Sequence, residues 1–156
     1  MTDATSESVV EWKAPSKAAH PARDVALASY DAVSRKDKDA WLALFAEDGW
    51  IEDPVGPSVF DPDGKGHHGP DGRAHFWDLT IAPVERFVFE IKDSFAAGSE
   101  CANYATFHTT LANGYSAYTD CVVIYRVNDD GKIVSLRAIW EFDRTMSTVR
   151  APADGT

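Results

Sequence analysis

The hydrophobic pattern of the chain changes its period at Pro83, and this change limits the possible folds more than any other feature of the sequence. Before Pro83 apolar residues recur at helical spacing, and after it apolar and polar residues alternate as they do in β-strands. The alternation fills four runs, at residues 86–95, 101–111, 116–127 and 132–143. Asn113–Gly114 and residues 128–131 separate the last three runs with sequences typical of β-hairpin turns. The pattern therefore predicts an α+β domain in which a curved antiparallel sheet wraps around helices and encloses a pocket.

Three helices are predicted before Pro83. Pro21 suits a first helical position, and the apolar spacing predicts a helix over residues 21–34. Asp37 can cap a second helix, which ends at Asp48–Gly49. A strand at residues 50–53, a long loop rich in proline and glycine at 55–72, and a third helix at 71–79 follow.

One domain accounts for the length and composition of the chain. Its 156 residues, 44% of them hydrophobic and 26% charged, suffice for one buried core and are too few for two packed domains. No linker, repeat or low-complexity block divides the chain. We expect a single domain over residues 21–148, a disordered tail at residues 1–20 and a second tail at residues 149–156.

The charge of the chain argues against several kinds of partner. The 15 Lys and Arg against 25 Asp and Glu leave a net charge of -10, which repels nucleic-acid phosphates and anionic lipids. No stretch approaches the roughly 20 apolar residues of a membrane span, and residues 1–8 lack the regions of a secretory signal. Cys101 and Cys121 show no redox or zinc spacing. The sequence thus predicts a cytoplasmic protein that binds neither nucleic acid nor membranes.

The sequence around the candidate cofactor and metal motifs argues against each of them. Residues 64–69 match a dinucleotide-binding GxGxxG motif by letter, but no buried strand of a βαβ unit precedes them. Residues 61–72 begin somewhat like a calcium loop and end in Gly72, where such a loop needs Glu. The five histidines show no metal-ligand spacing. We expect no cofactor and no metal.

Asp53 is the residue that physical reasoning singles out. It ends the predicted strand at residues 50–53, precedes Pro54 and is flanked by Trp50, Ile51 and Val55. A carboxylate at the mouth of an apolar cavity would have a raised pKa and could serve as a general base. The alternative is that Asp53 only caps a turn before Pro54.

Three strings carry a resemblance to a known family. They are WLALFAED at residues 41–48, IEDPVG at residues 51–56, and His68–Gly69 before an aromatic helix. From about Val25 to about Met146 the chain resembles the ketosteroid isomerase branch of the nuclear transport factor 2-like (SnoaL-like) superfamily, in its actinobacterial type. The resemblance implies a cone-shaped sheet wrapped around three N-terminal helices, a deep apolar pocket and a homodimer.

The resemblance also assigns Asp53 a role. In that family the Asp of the Glu-Asp-Pro-(Phe/Val)-Gly string is the general base. It takes a proton from the carbon next to a ketone and returns it farther along the conjugated system, so that a double bond moves from the β,γ to the α,β position. A Tyr on the first helix and a protonated Asp on the third long strand donate hydrogen bonds to the substrate oxygen.

The chain departs from the family pattern at these oxygen-binding positions. Val123 stands where the family has the strand Asp, and that donor is lost. Ser29 stands at the place of the helix Tyr, and Tyr30, one residue later, is the approximate match that we predict to be catalytic. Phe45 and Trp77 replace supporting tyrosines and are predicted to contact the substrate, as is Val123.

Strand parity with the family gives further pocket residues. It turns Tyr104, Thr106 and His108 inward, where Tyr104 or His108 could polarise a carbonyl, as could the indole of Trp77. Equally, Tyr104 and His108 could form hydrogen bonds only with each other or with a trapped water. Trp140 matches a pocket Trp that packs against a flat ligand. The residues predicted on the opposite face, as a dimer surface, are Phe107, Leu111, Val122 and Ile124.

These observations predict a cofactor-free enzyme that binds a steroid or a similar polycyclic apolar ketone and moves a proton with Asp53. Because Val123 cannot donate to the oxygen, we expect weak activity on standard steroids. Two alternatives stay open: a polyketide cyclase or dehydratase that uses the same carboxylate, and a non-catalytic module for ligand binding or dimerisation.

Overall fold

A computed structural model describes residues 9–153 of the protein. Along the chain the elements are β1 (Val10–Trp12), α1 (Pro21–Ser34), α2 (Lys38–Leu42), β2 (Phe45–Glu52), β3 (His67–His68), α3 (Gly69–Phe76), a π-helical turn (Trp77–Ile81), β4 (Val84–Ala97), β5 (Glu100–Leu111), β6 (Ser116–Val127), β7 (Ile133–Ile139) and α4 (Phe142–Met146). The predicted α+β class, with helices preceding a long meander, is confirmed.

The seven strands form one curved sheet in the order β1-β4-β5-β6-β7-β2-β3. The four long strands from β4 to β7 pair antiparallel with their neighbours in sequence. Strand β2 adds parallel to β7, and β1 adds parallel to β4. Helix α1 lies across β4, β5 and β6, and most of the buried side chains lie between it and the concave face of the sheet.

The first two helices begin where their sequences predict. At α1 the ring of His20 accepts a hydrogen bond from the Ala22 amide, and Pro21 occupies the first turn. At α2 the Asp37 carboxylate accepts from the Ala40 amide at 3.1 Å. The predicted end of the second helix is wrong, because α2 stops at Leu42 and residues 45–52 pair with β7 as strand β2. The longer sheet pairing overrides the helical spacing of the apolar residues there.

The third helix and the last strand also differ from their predicted bounds. Helix α3 starts at Gly69, and the widened π-helical turn carries it to Ile81. Strand β7 ends at Ile139, and Phe142, which was predicted to continue the strand, begins α4 instead.

Both predicted tails are shorter than expected within the described residues. Residues 10–12 form β1 and pair with residues 89–91 of β4, so the prediction of a disordered tail over residues 1–20 is wrong there. At the other end, the backbone of Arg150 exchanges two hydrogen bonds with Ser116, at 2.9 and 3.0 Å. Satisfying these backbone groups orders both segments. The remaining predicted tail residues, 1–8 and 154–156, lie outside the described residues.

No helix between residues 9 and 153 is both long enough and apolar enough to cross a membrane.

Candidate functional site

A cavity of about 890 Å³, including its open mouth, lies between α1, the π-helical turn and the concave face of the sheet. Aromatic rings dominate its wall: Phe60, Phe76, Phe87, Phe89 and Phe107. Phe60 comes from the long loop that follows β2, so this loop contributes to the wall. Such a cavity suits a flat apolar molecule that carries few polar groups.

Asp53 lies on the wall of this cavity, directly after the last residue of β2. The backbone of Val55 donates to the carbonyl of Ala138 at 2.9 Å, which fixes the chain just beyond Asp53 against β7. The indole Nε1 of Trp140 donates to the Asp53 carboxylate Oδ1 at 2.6 Å. Asp53 and Trp140 therefore contact each other where the paired strands β2 and β7 end.

The cavity changes the acidity of Asp53. Burial raises the pKa of its carboxyl from 3.8 to about 6, although the hydrogen bond from Trp140 favours the charged form and lowers it. At neutral pH the carboxylate is mostly ionised, yet it is a stronger base than an exposed aspartate. This places a candidate general base among apolar rings.

A second polar cluster lies on the inner wall of the cavity, on α1 and β6. Ser29, Tyr30 and Tyr125 all line the cavity. The hydroxyl of Tyr125 donates to Ser29 Oγ at 3.0 Å, and the indole Nε1 of Trp41 donates to the same oxygen at 3.0 Å. Asn103 Nδ2 donates to Tyr30 Oη at 2.9 Å. Burial raises the pKa of both tyrosines, so both remain neutral hydrogen-bonding groups.

The structure brings four of the predicted site residues together. Asp53, Tyr30, Val123 and Trp140 all line the cavity. Phe45 and Trp77 are buried but stand behind its wall, with ring centroids 4.8 and 5.4 Å from that of Trp41. Their predicted contact with a substrate is therefore replaced by packing that supports the wall.

The predicted inward orientation of three β5 residues is wrong. Tyr104 is 47% exposed on the outer face of the sheet. Thr106 donates to the Asp120 carboxylate at 2.6 Å, and His108 Nε2 lies 3.3 Å from Glu90 Oε1. Cavity contacts from this strand are made instead by Phe107 and Thr109. Phe107 was predicted on the outer dimer surface, and this prediction is wrong for the same reason.

The length of the β5–β6 loop explains this reversal. A two-residue turn at Asn113–Gly114 would pair Val123 with Tyr104 and turn both inward. The observed loop has three residues, closed by a hydrogen bond from the Leu111 amide to the Tyr115 carbonyl, and Gly114 adopts a φ of 88°. This loop pairs Val123 with Asn103, and a shift of one residue reverses every side chain of β5.

Sequence reasoning missed Tyr125 as a cavity residue. It lies two residues after Val123 on β6 and so shares its inward face. The alternation of β6 could have identified it, because the inward orientation of Val123 was predicted.

No three His, Cys, Asp or Glu side chains among residues 9–153 cluster so as to hold a metal ion. Both cysteines are free and buried, and burial raises the pKa of the Cys121 thiol.

Comparisons with known proteins agree with this geometry. The family model described as SnoaL-like domain matches residues 26–136. Comparison with curated proteins finds no match. Among solved structures, Rv0760c from Mycobacterium tuberculosis in complex with estradiol-17β-hemisuccinate is 34% identical, with a TM-score of 0.75 over 80% of this chain and 97% of that one. The Δ5-3-ketosteroid isomerase from Mycobacterium sp. is also 34% identical, with a TM-score of 0.75 over 85% of this chain and 98% of that one. A computationally designed 17-OHP binder is 32% identical, with a TM-score of 0.76 over 80% and 96%.

Proposed function

The chain belongs to the SnoaL-like family, and from this premise we propose that it binds a steroid or a similar polycyclic apolar ketone and moves a proton on it with Asp53. The observation that carries the proposal is the position of Asp53, a carboxylate with a pKa of about 6 on the wall of an aromatic cavity. The relatives crystallised with a steroid or named for steroid isomerisation support the ligand class.

The chemistry needs a single carboxylate. Ionised Asp53 takes the proton from the carbon that lies between the carbonyl and the β,γ double bond. The electron pair of that C–H bond forms a new C=C bond, and the π electrons of the carbonyl move onto its oxygen. Protonated Asp53 then returns the proton to the far carbon while the carbonyl re-forms, which converts a Δ5 into a Δ4 3-ketosteroid.

Trp140 positions the base for both transfers. Its indole holds Oδ1 of Asp53 at 2.6 Å, and the other carboxylate oxygen makes no further hydrogen bond within residues 9–153. That oxygen can therefore exchange the proton with the ligand. The raised pKa makes Asp53 a stronger base for removing the proton than an exposed aspartate would be.

The test is the conversion of 5-androstene-3,17-dione to its conjugated isomer, followed by ultraviolet absorbance. We expect the native protein to catalyse it and Asp53→Asn to lose at least about 1,000-fold in kcat, because the amide cannot accept the proton. Asp129→Asn is the matched control, since Asp129 is exposed in the β6–β7 turn. It should retain native activity.

Each remaining outcome has a defined meaning. Full turnover in Asp53→Asn would remove Asp53 as the base. Tight steroid binding without turnover in the native protein would refute the isomerase and support the binding module. Turnover of a polyketide-type carbonyl substrate alone, lost in Asp53→Asn, would favour the cyclase or dehydratase alternative.

We also propose that two copies associate through the outer face of the sheet. Tyr104, Val122 and Ile139 are paired in register across β5, β6 and β7 and are 47%, 38% and 51% exposed. Together they form an apolar row on the surface opposite the cavity. A row of this kind is typical of a surface that a partner covers.

A further inference from the structure

The hydroxyls of Ser29, Tyr30 and Tyr125, here called the hydroxyl triad, have N–H donors at both ends. Asn103 donates its amide hydrogen to Tyr30 Oη, and Trp41 donates its indole hydrogen to Ser29 Oγ. Neither of these N–H groups can accept a hydrogen bond in return. Both ends of the cluster therefore supply hydrogens to the triad.

Counting hydrogens shows that the triad has one to spare. Its three hydroxyls carry three hydrogens. One hydroxyl-to-hydroxyl hydrogen bond is formed, from Tyr125 to Ser29 at 3.0 Å, and the Tyr30 ring meets the Tyr125 ring edge-on with their centroids 5.8 Å apart, so that a link from Tyr30 to Tyr125 would be the second. No backbone carbonyl among residues 9–153 accepts from any of the three hydroxyls. At least one O–H must therefore point away from the cluster, and all three residues line the cavity.

We propose that Tyr125 is the residue that donates this spare hydrogen to the carbonyl oxygen of the ligand, with Ser29 and Tyr30 as positioning residues that donate to Tyr125 Oη. This inference rests on the proposed function and names the oxygen-binding group that the function requires. The Ser29 hydroxyl turns its hydrogen onto Tyr125, which releases the Tyr125 hydrogen that Ser29 accepts in the free protein.

In this arrangement every hydrogen bond points toward the ligand. The order is Asn103 to Tyr30 to Tyr125 on one side and Trp41 to Ser29 to Tyr125 on the other, with the Tyr125 O–H directed into the cavity. Two donors on one phenol oxygen make its O–H a stronger donor, because successive hydrogen bonds polarise one another. A phenol is also a better donor to a developing oxyanion than the aliphatic hydroxyl of Ser29.

The position of Tyr125 relative to Asp53 fits this role. Both residues line the same cavity, and the carboxylate of Asp53 is near enough to raise the pKa of the Tyr125 hydroxyl. At neutral pH Tyr125 is therefore protonated while Asp53 is mostly ionised, and proton removal from the ligand needs both of these states. Val123, two residues away on the same face of β6, has no polar atom to compete for the oxygen.

The experiment uses androst-4-en-3-one, which has a single carbonyl, and androst-4-ene, which has none. Binding is measured by quenching of tryptophan fluorescence, since Trp41 and Trp140 line the cavity. We expect the native protein to prefer the ketone by about tenfold, as one good hydrogen bond allows, and Tyr125→Phe to bind both compounds equally. The infrared carbonyl stretch of the bound ketone should lie at a lower frequency in the native protein than in Tyr125→Phe.

Two further variants keep the test interpretable. Tyr115→Phe, an exposed tyrosine in the β5–β6 loop region, is the matched control and should behave as the native protein does. Ser29→Ala should lower the preference only a few-fold, because Tyr30 still donates to Tyr125, and it replaces Tyr125→Phe if that variant does not fold. For 5-androstene-3,17-dione, we expect Tyr125→Phe to lower kcat about 100-fold and to raise KM by no more than the roughly tenfold by which the variant loses affinity for the ketone.

The outcomes separate the inference from the proposed function. An unchanged preference and carbonyl frequency in folded Tyr125→Phe would overturn the role of Tyr125 while leaving steroid binding and Asp53 untouched. If Ser29→Ala has to serve instead, an unchanged preference there overturns the triad. If the native protein binds neither compound, the proposed function fails and the role of Tyr125 fails with it.

Discussion

At the scale of single residues, the environment that makes Asp53 a base also opposes folding. Its carboxyl has a pKa of about 6 in the folded protein and an ordinary value of 3.8 in the unfolded chain. Stability from this group is fully present below pH 3.8 and is lost as the pH rises through about 6, because the unfolded chain then ionises more readily. The loss amounts to at most about 3 kcal/mol, and to less where water fills the cavity.

Asp53→Asn should therefore stabilise the protein at high pH. We expect the difference in unfolding free energy between Asp53→Asn and the native protein to move in favour of the variant by about 1–3 kcal/mol between pH 4 and pH 8. Urea denaturation at both pH values measures it. A constant difference would mean that the carboxyl is not desolvated in the fold.

The same carboxyl sets the pH dependence of activity. We expect kcat/KM for 5-androstene-3,17-dione to rise tenfold per pH unit below about pH 6 and to level off above it, because only ionised Asp53 accepts a proton. Removing the indole donor with Trp140→Phe should move this midpoint to higher pH, since the hydrogen bond from Trp140 favours the charged carboxylate. A midpoint near pH 4 in the native protein would contradict the desolvation of Asp53.

At the scale of elements, β5 marks the limit of what the sequence could predict about the site. Asp53 was identifiable because its neighbours in sequence, a strand and Pro54, also define its position. The inward face of β5 was not, since both faces of the strand mix apolar and polar residues: one has Ala105 and Phe107, the other Tyr104 and His108. Only the loop length distinguishes them, and a three-residue loop and a two-residue turn both accommodate Gly114.

Substitutions on the two faces of β5 should differ in their effect on steroid affinity. We expect Tyr104→Phe and His108→Gln to leave steroid affinity within about twofold of native, because neither side chain reaches the cavity. Phe107→Ala should weaken binding by about tenfold or more, since the Phe107 ring lies on the cavity wall with its centroid 4.8 Å from that of the Phe89 ring. Fluorescence titration with androst-4-en-3-one measures both. The reverse ranking would restore the face assigned from sequence.

At the scale of the whole molecule, the outer face of the sheet is the surface to test for association. A single chain has a mass of 17.1 kDa, and we expect sedimentation to give twice that value. Val122→Lys should shift the protein toward the single chain, because it places a charge in the centre of the row formed with Tyr104 and Ile139. Val59→Lys, an exposed loop substitution, is the control. A native protein that sediments as one chain at all concentrations would contradict the dimer.

The pairings between elements far apart in sequence explain why the fold was only partly predictable. Hydrophobic period and turn residues gave the helices and the meander from β4 to β7, because those signals are local. The parallel pairing of β2 with β7 joins segments more than 80 residues apart. The apolar residues of β2 before Gly49 have helical spacing, which favoured a helix where the structure has a strand. A few residues at 10–12 carry no local pattern that distinguishes a strand from a tail.

Residues 10–12 limit β-pairing between copies of the protein during expression and storage. Strand β1 shields the open edge of β4 at residues 89–91, where the amide of Phe89 donates to the carbonyl of Val9 and that of Lys13 donates to Ile91. A shortened chain that starts at residue 21 would expose unpaired backbone along an apolar strand, which is a template for intermolecular β-pairing. Such a chain would have an intact pocket and a greater tendency to aggregate, so the leading segment protects the solubility of the fold.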